Sequence, residues 1–211
     1  MVSFAVLASG NGTNFQALVD GIKNDEIKNV EIKVLITDKS DAMVIQRAKN
    51  ANIPFYIVKK ENFTTREEMD LEIKRIVDSY KIDYIYLLGY MLLIKAKKLL
   101  EEYSNKIINL HPSLLPAFPG IDAQKQAFEY GCKVSGITIH LVTEGLDTGP
   151  ILYQTVTDIS ECKNAEEVHE KLRILEHCGV KKIAQMLANG KFVVSGKTTK
   201  YMLYPNSDSK L

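Results

Sequence analysis

Short apolar runs alternate with amphipathic segments along the first half of the chain. The runs lack the alternation of polar and apolar residues that a half-solvated sheet shows, and this is typical of strands buried on both faces of a parallel sheet. The predicted strands cover residues 3–7, 30–36, 55–58, 84–88 and 107–110.

The segments between these runs have helical spacing. In the first, apolar residues recur at i, i+3, i+4 and i+7, and Thr13 followed by Gln16 predicts a capping box at its start. A second helix is predicted over Arg66–Tyr80, with Thr65 and Glu68 as its capping box. Strands alternating with helices predict a Rossmann-like, doubly wound α/β fold, with a mostly parallel sheet and helices on both faces.

The second half is less regular and predicts an antiparallel C-terminal extension. Its predicted elements are a helix over 123–130, strands over 134–143 and 151–157, a long helix between Asn164 and Asn189, and a hairpin over 191–203. We expect a single domain over 1–205, with halves at 1–110 and 111–205, and a frayed tail over 206–211.

The long helix carries one apolar stripe, and two polar residues are placed relative to it. His177 is predicted opposite the stripe, in solvent, and Glu176 at its edge, where a carboxylate faces either a cleft or the solvent. The residues of the stripe are Val168, Leu172, Leu175, Ile183 and Met186.

Composition is that of an ordinary globular protein of 211 residues, with 45% hydrophobic and 25% charged residues. Lys and Arg number 27 against 26 Asp and Glu, so the net charge of +1 offers no field for nucleic acid or anionic lipid. No apolar run approaches the ~20 residues that span a bilayer. Three cysteines without C-x-x-C spacing predict reduced thiols, and the absence of a ligand set predicts no metal.

The first strand runs into a glycine-rich turn at residues 9–15, Ser-Gly-Asn-Gly-Thr-Asn-Phe, which opens a helix. Free N–H groups and the positive end of the helix dipole suit a phosphate there. The third glycine of a dinucleotide fingerprint falls at Phe15 and no GK[ST] follows, which disfavours dinucleotide and Walker A sites. A tight turn without a ligand is the alternative.

Asn109 and His111 end the fifth predicted strand, where ligands bind in open α/β sheets. They are two residues apart, so both point to one face, and Pro112 keeps His111 extended. An amide and an imidazole on one face can donate to one oxyanion. Both residues are equally compatible with satisfied loop polar groups.

Asp147 lies in a Gly-Pro turn, where its plain role is to bond its own turn backbone. Its functional role is proton handling beside His111, because a nearby carboxylate raises the pKa of an imidazole. His140, within a long predicted strand, is interpreted as a packed or supporting histidine.

Three motifs together carry a resemblance: residues 9–14, the stretch Asn-Leu-His-Pro-Ser-Leu-Leu-Pro at 109–116, and Leu-Asp-Thr-Gly-Pro at 146–150. Over nearly its whole length the chain resembles the phosphoribosylglycinamide formyltransferases, the folate-dependent GAR transformylases of purine synthesis. The resemblance implies transfer of the formyl group of 10-formyltetrahydrofolate to the primary amine of glycinamide ribonucleotide, by direct attack through an oxyanion intermediate. It implies Asn109, His111 and Asp147 as the catalytic trio.

The resemblance also implies two sets of ligand contacts, with 1–110 as the ribotide half and 111–205 as the folate and catalytic half. The implied ribotide contacts are Gly10, Asn11, Gly12, Thr13, Asn14, Phe15, Gly89 and Glu176. The implied folate contacts are Arg66, Met91, Leu92, Leu93, Ile94, Asn109, Thr143, Glu144, Gly145, Leu146 and Asp147. The implied partners are these two small molecules, and no metal, nucleic acid or membrane is expected. The expected protein is a cytoplasmic monomer or weak homodimer.

Two departures from the family pattern stand out. The family stretch Gly-Phe-Met-Arg-Ile reads Gly-Tyr-Met-Leu-Leu-Ile at residues 89–94, so Leu92 replaces a charge. Binding of the folate glutamate tail is then weaker or rests more on Arg66. Arg173 stands where a neutral amide is usual, and either meets the ligand or points to water.

Other enzymes of the same superfamily are the nearest alternatives. Formyltetrahydrofolate hydrolase calls for an extra N-terminal domain and methionyl-tRNA formyltransferase for a C-terminal one, and we expect room for neither. A binding module without turnover is the alternative of a different class, against which the three residues of the trio weigh.

Overall fold

The computed structural model describes residues 1–204, so the predicted frayed tail over 206–211 lies outside the described residues. The strands of this part are β1 (Val2–Leu7), β2 (Val30–Thr37), β3 (Phe55–Ile57), β4 (Tyr84–Leu87), β5 (Ile107–His111), β6 (Val134–Leu141), β7 (Ile151–Asp158), β8 (Gly190–Ser195) and β9 (Thr198–Leu203). The α-helices are α1 (Thr13–Lys23), α2 (Val44–Asn50), α3 (Arg66–Tyr80), α4 (Lys97–Glu102), α5 (Ala123–Tyr130) and α6 (Ala165–Asn189), and Lys60–Asn62 form one 3₁₀ turn.

The hydrogen-bonded order of the larger sheet is β3-β2-β1-β4-β5-β6-β7, and β8 and β9 form a second sheet of their own. The pairs among β1 to β5 are all parallel, whereas β6 pairs antiparallel with β7. The direction of winding reverses after β3. α1 contacts α2, and α3 contacts α4, which is the grouping expected when right-handed crossovers put the two pairs on opposite faces. The predicted doubly wound fold with an antiparallel extension is confirmed.

The chain falls into two compact units, Met1–Asn109 and the residues from Leu110 onward. The single domain with halves divided after residue 110 stays a prediction. In the first unit the core is centred on β1, whose residues 4–7 are fully buried. Strand β3 differs from the prediction of burial on both faces, because as the last strand of the sheet it leaves Tyr56 and Ile57 each 39% exposed.

The two predicted capping boxes have different outcomes. In α3 the box is confirmed, since the Glu68 N–H donates to Thr65 Oγ1 at 3.2 Å and the Thr65 N–H to Glu68 Oε2 at 3.2 Å. In α1 the box is wrong, because Thr13 is already helical and the cap is Gly12, at φ 68°. A left-handed glycine turns the chain into the helix there, and the Gln16 N–H bonds to its carbonyl.

The second unit is built on α6, which packs against β6, β7, β8 and α5. Asn164 caps this helix by accepting the Glu167 N–H at 2.9 Å, as predicted. The predicted apolar stripe does not coincide with the buried face of α6. That face follows spacings of three and four residues and includes Glu176, which is only 6% exposed. Leu175, Met186 and His177 are half-buried, so the prediction of His177 in solvent is wrong.

We expect Thr65→Ala to lower the free energy of unfolding by about 1 kcal/mol, because the first turn of α3 loses its cap. Urea denaturation measures this difference. Thr64→Ala is the matched control, because Thr64 meets Glu68 through its backbone N–H, which alanine retains. Equal losses in the two variants would contradict the capping role.

Candidate active site

The glycine turn, defined as residues 9–15, follows β1 and opens α1. Gly10 and Asn11 are exposed, while Phe15 is fully buried and offers no surface to a ligand in this conformation. A Cβ at Gly12 would lie 2.4 Å from Val44 Cγ2, which together with its positive φ reserves the position for glycine. The first turn of α1 carries no acidic residue, which leaves the positive end of the helix dipole uncompensated.

The end of β4 lies beside the glycine turn. The Ser9 N–H donates to the Gly89 carbonyl at 3.0 Å, and the Met91 N–H to Ser9 Oγ at 3.0 Å. The structure therefore places Gly89 beside the glycine turn, and both belong to the predicted ribotide contacts. On the other side, Arg47 Nε donates to the Asn11 carbonyl at 2.7 Å. Sequence reasoning missed Arg47, because the short helix α2 shows too few turns for a periodic signal.

Asn109 and His111 lie at the carboxyl end of β5. Asn109 pairs with Leu87 of β4 in the parallel ladder, and His111 is the last residue of the strand. Alternation along a strand puts their side chains on the same face, as the spacing predicted. His111 is almost wholly buried, whereas Asn109 is half-buried.

The loop after His111 is fastened to β6 by one hydroxyl. Thr138 Oγ1 donates to the Ser113 carbonyl at 2.7 Å and accepts the Leu115 N–H at 3.0 Å. The Leu115–Pro116 peptide bond is cis. The loop then returns so that the Phe118 carbonyl lies 2.8 Å from His111 Nε2. One nitrogen of the imidazole is thus oriented by main chain.

Asp147 faces the other nitrogen of His111. Its Oδ2 lies 3.4 Å from His111 Nδ1 and accepts the Gly120 N–H at 2.8 Å. Its Oδ1 lies 3.6 Å from His140 Nε2. The carboxylate therefore lies between two imidazoles, which favours the functional interpretation over a purely local role in its turn.

His140 is a buried partner of this carboxylate. Its Nδ1 lies 2.9 Å from the Leu141 carbonyl, so that main chain orients the ring and Nε2 is left to face Asp147. The interpretation of His140 as a supporting histidine agrees with this position. The sequence offered no signal for the pairing, because strand alternation gives the face of His140 and not the path of the loop that follows.

Burial and contacts compete in setting the charges of this group. Burial raises the pKa of Asp147, but bonds from His140 and Gly120 and the nearby His111 outweigh it, so the carboxyl pKa lies below its usual value. Burial also lowers the pKa of His111 by more than Phe118 and Asp147 raise it. Asp147 does raise the imidazole pKa, as expected, but burial outweighs this effect and the net pKa of His111 lies below that of a free imidazole.

Comparison with known proteins identifies the family of this site. Residues 2–183 match the model of the Formyl transferase family. The chain is 44% identical over 177 residues to the phosphoribosylglycinamide formyltransferase of Bacillus subtilis, covering 84% of this chain and 90% of that protein. The chain belongs to the formyl transferase family.

Solved structures of this family superimpose closely on the chain. The glycinamide ribonucleotide transformylase 1 of Symbiobacterium toebii matches with a TM-score of 0.91 and 35% identity, over 96% of this chain and 94% of that one. A formyltetrahydrofolate deformylase from Pseudomonas syringae matches at 0.86 and 26% identity, over 95% of this chain and 65% of that one. Formyl transferases and deformylases thus share this fold.

The residues implied by family resemblance have mixed environments. Met91 is 60% and Leu146 is 52% exposed, and residues 143–145 are exposed as well. Ile94 is buried in the core of its unit, so its side chain is not offered to a ligand. Arg173 forms an ion pair with Glu170 one turn earlier, which accounts for its charge without a ligand.

No helix within residues 1–204 combines the length and apolarity needed to cross a bilayer. The same part of the chain holds no group of three His, Cys, Asp or Glu side chains that could bind a metal ion. Cys132, Cys162 and Cys178 are all free thiols.

We expect the pKa of His111 to lie below that of a free imidazole and to fall further in Asp147→Asn, because the neutral amide no longer attracts the imidazolium. NMR titration of the His111 ring proton measures both values. Asp158→Asn removes an exposed carboxylate from the end of β7 and is expected to leave the titration unchanged. A pKa that rises in Asp147→Asn would contradict the assigned contact.

Proposed function

We propose that the protein transfers the formyl group of 10-formyltetrahydrofolate to the primary amine of glycinamide ribonucleotide. The observation that carries the proposal is the buried His111–Asp147 contact at the end of β5, in a formyl transferase whose relative in Bacillus subtilis bears that activity in its name. The relative is matched over 90% of its length, so the similarity is not confined to one module.

The glycine turn is proposed to take the ribotide phosphate. The exposed backbone at Gly10 and Asn11, the left-handed cap at Gly12 and the uncompensated dipole of α1 support this role. Thr13 and Asn14 lie in the first turn of α1 and Gly89 bonds to Ser9, which agrees with their implied contacts. Glu176 is proposed to meet the ribotide from α6.

Formyl transfer needs no covalent intermediate with the protein. The neutral amine attacks the formyl carbon, a C–N bond forms, and the carbonyl oxygen becomes an oxyanion. We propose that the Asn109 amide and a His111 N–H donate to that oxyanion. The His111 N–H that now meets the Phe118 carbonyl is the donor that would turn to it.

The lowered pKa of Asp147 keeps its carboxylate ionised near neutral pH, which suits the proton transfer that completes the reaction. The attacking nitrogen loses one proton and N10 gains one as its bond to the formyl carbon breaks. Asp147 is proposed to relay this proton through a water. Burial holds the pKa of His111 below that of a free imidazole, so the ring donates to the oxyanion through its N–H and its own charge does not change.

The folate donor is proposed to meet two segments. Residues 91–94 and 143–147 are the contacts that the resemblance implies, and Met91 and Leu146 are each exposed. We infer a cytoplasmic location, with which three free thiols agree, and a monomer or weak homodimer.

A hydrolase is the second candidate, because the solved deformylase shares the fold. One assay separates the candidates: incubate the protein with 10-formyltetrahydrofolate, with and without glycinamide ribonucleotide, and follow loss of the formyl group. Consumption that requires the ribotide supports the transferase. Consumption without it supports the hydrolase, and the absence of both supports a binding module.

We expect Asn109→Ala and His111→Ala each to lower kcat by ~10²–10³, because each removes one donor to the oxyanion. Steady-state kinetics with both substrates measures the change. His169→Ala is the matched control, because His169 is a half-buried histidine that meets Gln124 between α5 and α6, outside the group around His111. Turnover within a few-fold of wild type in both site variants would overturn the assignment.

A further inference from the structure

One backbone position is strained in the loop that follows β5, residues 112–118. Phe118 has a φ of 53°, in the left-handed region, where a bulky side chain is an outlier. A residue stays in that region only when surrounding contacts hold it there, and such residues cluster at functional sites. The carbonyl of Phe118 is the group that lies 2.8 Å from His111 Nε2. The strained position therefore bears directly on the imidazole.

The hydroxyl of Ser113 holds the end of this loop from the inside. Ser113 is 0% exposed, and its Oγ donates to the Ala117 carbonyl at 2.6 Å and lies 3.3 Å from the Phe118 carbonyl oxygen. The Ala117 N–H donates to the Leu114 carbonyl at 3.0 Å, which closes the same turn. One buried hydroxyl thus brings two successive carbonyls together and orients the one that meets His111.

The first half of the loop is held from the edge of the sheet. Gln154 lies on β7, the last strand of the larger sheet, and its Nε2 donates to the Leu115 carbonyl at 2.9 Å and to Thr138 Oγ1 at 2.9 Å. Thr138 Oγ1 is the hydroxyl that bonds to the main chain of Ser113 and Leu115. Gln154 therefore supports the segment on which Ser113 lies.

His111 lies between two hydrogen-bond acceptors. Its Nε2 faces the Phe118 carbonyl at 2.8 Å, and its Nδ1 faces Asp147 Oδ2 at 3.4 Å. A neutral imidazole carries one N–H and can donate to only one of the two. The shorter distance is that of an ordinary N–H···O bond, and the longer one exceeds it. These distances favour the tautomer that carries its proton on Nε2.

The position of this proton decides what the neutral ring can offer to a ligand. A carboxylate is a stronger acceptor than a carbonyl, so Asp147 would draw the proton to Nδ1 if the Phe118 carbonyl were displaced. Nε2 would then present a lone pair, which repels a developing oxyanion instead of donating to it. The Phe118 carbonyl thus keeps the donor on the nitrogen that does not face Asp147.

We propose that Ser113 and Gln154 are positioning residues, which hold the Phe118 carbonyl against His111 and so keep the neutral ring in its Nε2–H tautomer. Ser113 acts on the end of the loop, and Gln154 acts on its first half through Leu115 and Thr138. The oxyanion in this inference rests on the proposed function, whereas the tautomer is a property of the protein alone.

The tautomer of the unmodified protein is the first test. Long-range proton–nitrogen NMR correlation spectra show which ring nitrogen carries the proton, and the His111 signals are assigned by their loss in His111→Gln. In alkaline buffer, where the ring is neutral, we expect the Nε2–H form in about nine of ten molecules or more. A proton that lies mainly on Nδ1 would overturn the proposal.

Ser113→Ala removes the hydroxyl that orients the Phe118 carbonyl. We expect the Nε2–H form to fall to about one molecule in ten, and kcat to fall by the same factor of about ten, because only that form donates to the oxyanion. The KM values for both substrates are expected to stay within about twofold. Ser135→Ala is the matched control, because Ser135 is also buried, at 4% exposed, and lies on β6. It is expected to change neither the tautomer nor kcat.

Gln154→Met is the milder variant, because Gln154 acts through the first half of the loop. Gln154 is exposed, so its replacement leaves the core of the unit intact. We expect kcat to fall about two- to threefold, again in proportion to the population of the Nε2–H form. A fall in kcat with the wild-type tautomer retained would reveal a merely structural role and overturn the proposal.

The tautomer and the turnover are measured separately, so the two proposals can fail separately. A protein that consumes no formyl donor, while His111 responds as expected in both variants, retains the positioning roles and refutes the proposed function. A protein that transfers the formyl group at the wild-type rate in both variants retains the proposed function and overturns the positioning roles.

Discussion

The carboxylate of Asp147 is almost entirely shielded from water. The arrangement of the groups around it in the second unit depends on its negative charge. Transfer of a lone carboxylate into a protein interior costs several kcal/mol. The Gly120 N–H and the contact with His140 offset this cost and hold the carboxyl pKa below its usual value. Polar groups that stabilise a buried charge in this way can also interact with charge that develops on a neighbouring ligand.

The same burial explains why His111 differs from a free imidazole. Desolvation disfavours its cationic form by more than one carboxylate favours it, so the ring rests neutral and holds its tautomer through the Phe118 carbonyl. In the proposed reaction, a neutral N–H donor aimed at the forming oxyanion stabilises the transition state more than the ground state. The low pKa of His111 therefore suits a reaction in which negative charge develops in the transition state. It suits less well the binding of an already anionic substrate group at His111.

Hydrophobic periodicity was sufficient to predict the fold. Local sequence chemistry was sufficient to predict one of the two helix caps. The Thr65 and Glu68 pair predicted the start of α3 because capping depends only on neighbours in sequence, whereas at α1 the left-handed Gly12 took the position that Thr13 was expected to hold. Glu176 was placed at an edge because hydrophobicity does not reveal a carboxylate within a buried stripe. His140 acquires its position beside Asp147 from a loop whose path no periodic signal encodes.

The turn that carries Asp147 is joined to the sheet by a position where only hydrogen fits. A Cβ on Gly149 would lie 1.7 Å from the Leu141 carbonyl oxygen, and the Leu141 N–H bonds to the carbonyl of Pro150. Any side chain at position 149 would therefore push Leu141, the last residue of β6, away from Gly149 and Pro150, which precede β7. The Asp147 carboxylate, two residues before Gly149, would move with them. Directed-evolution libraries of this loop should keep that codon and the codon of Gly145 invariant, and diversify positions 143, 144 and 146, which face the solvent.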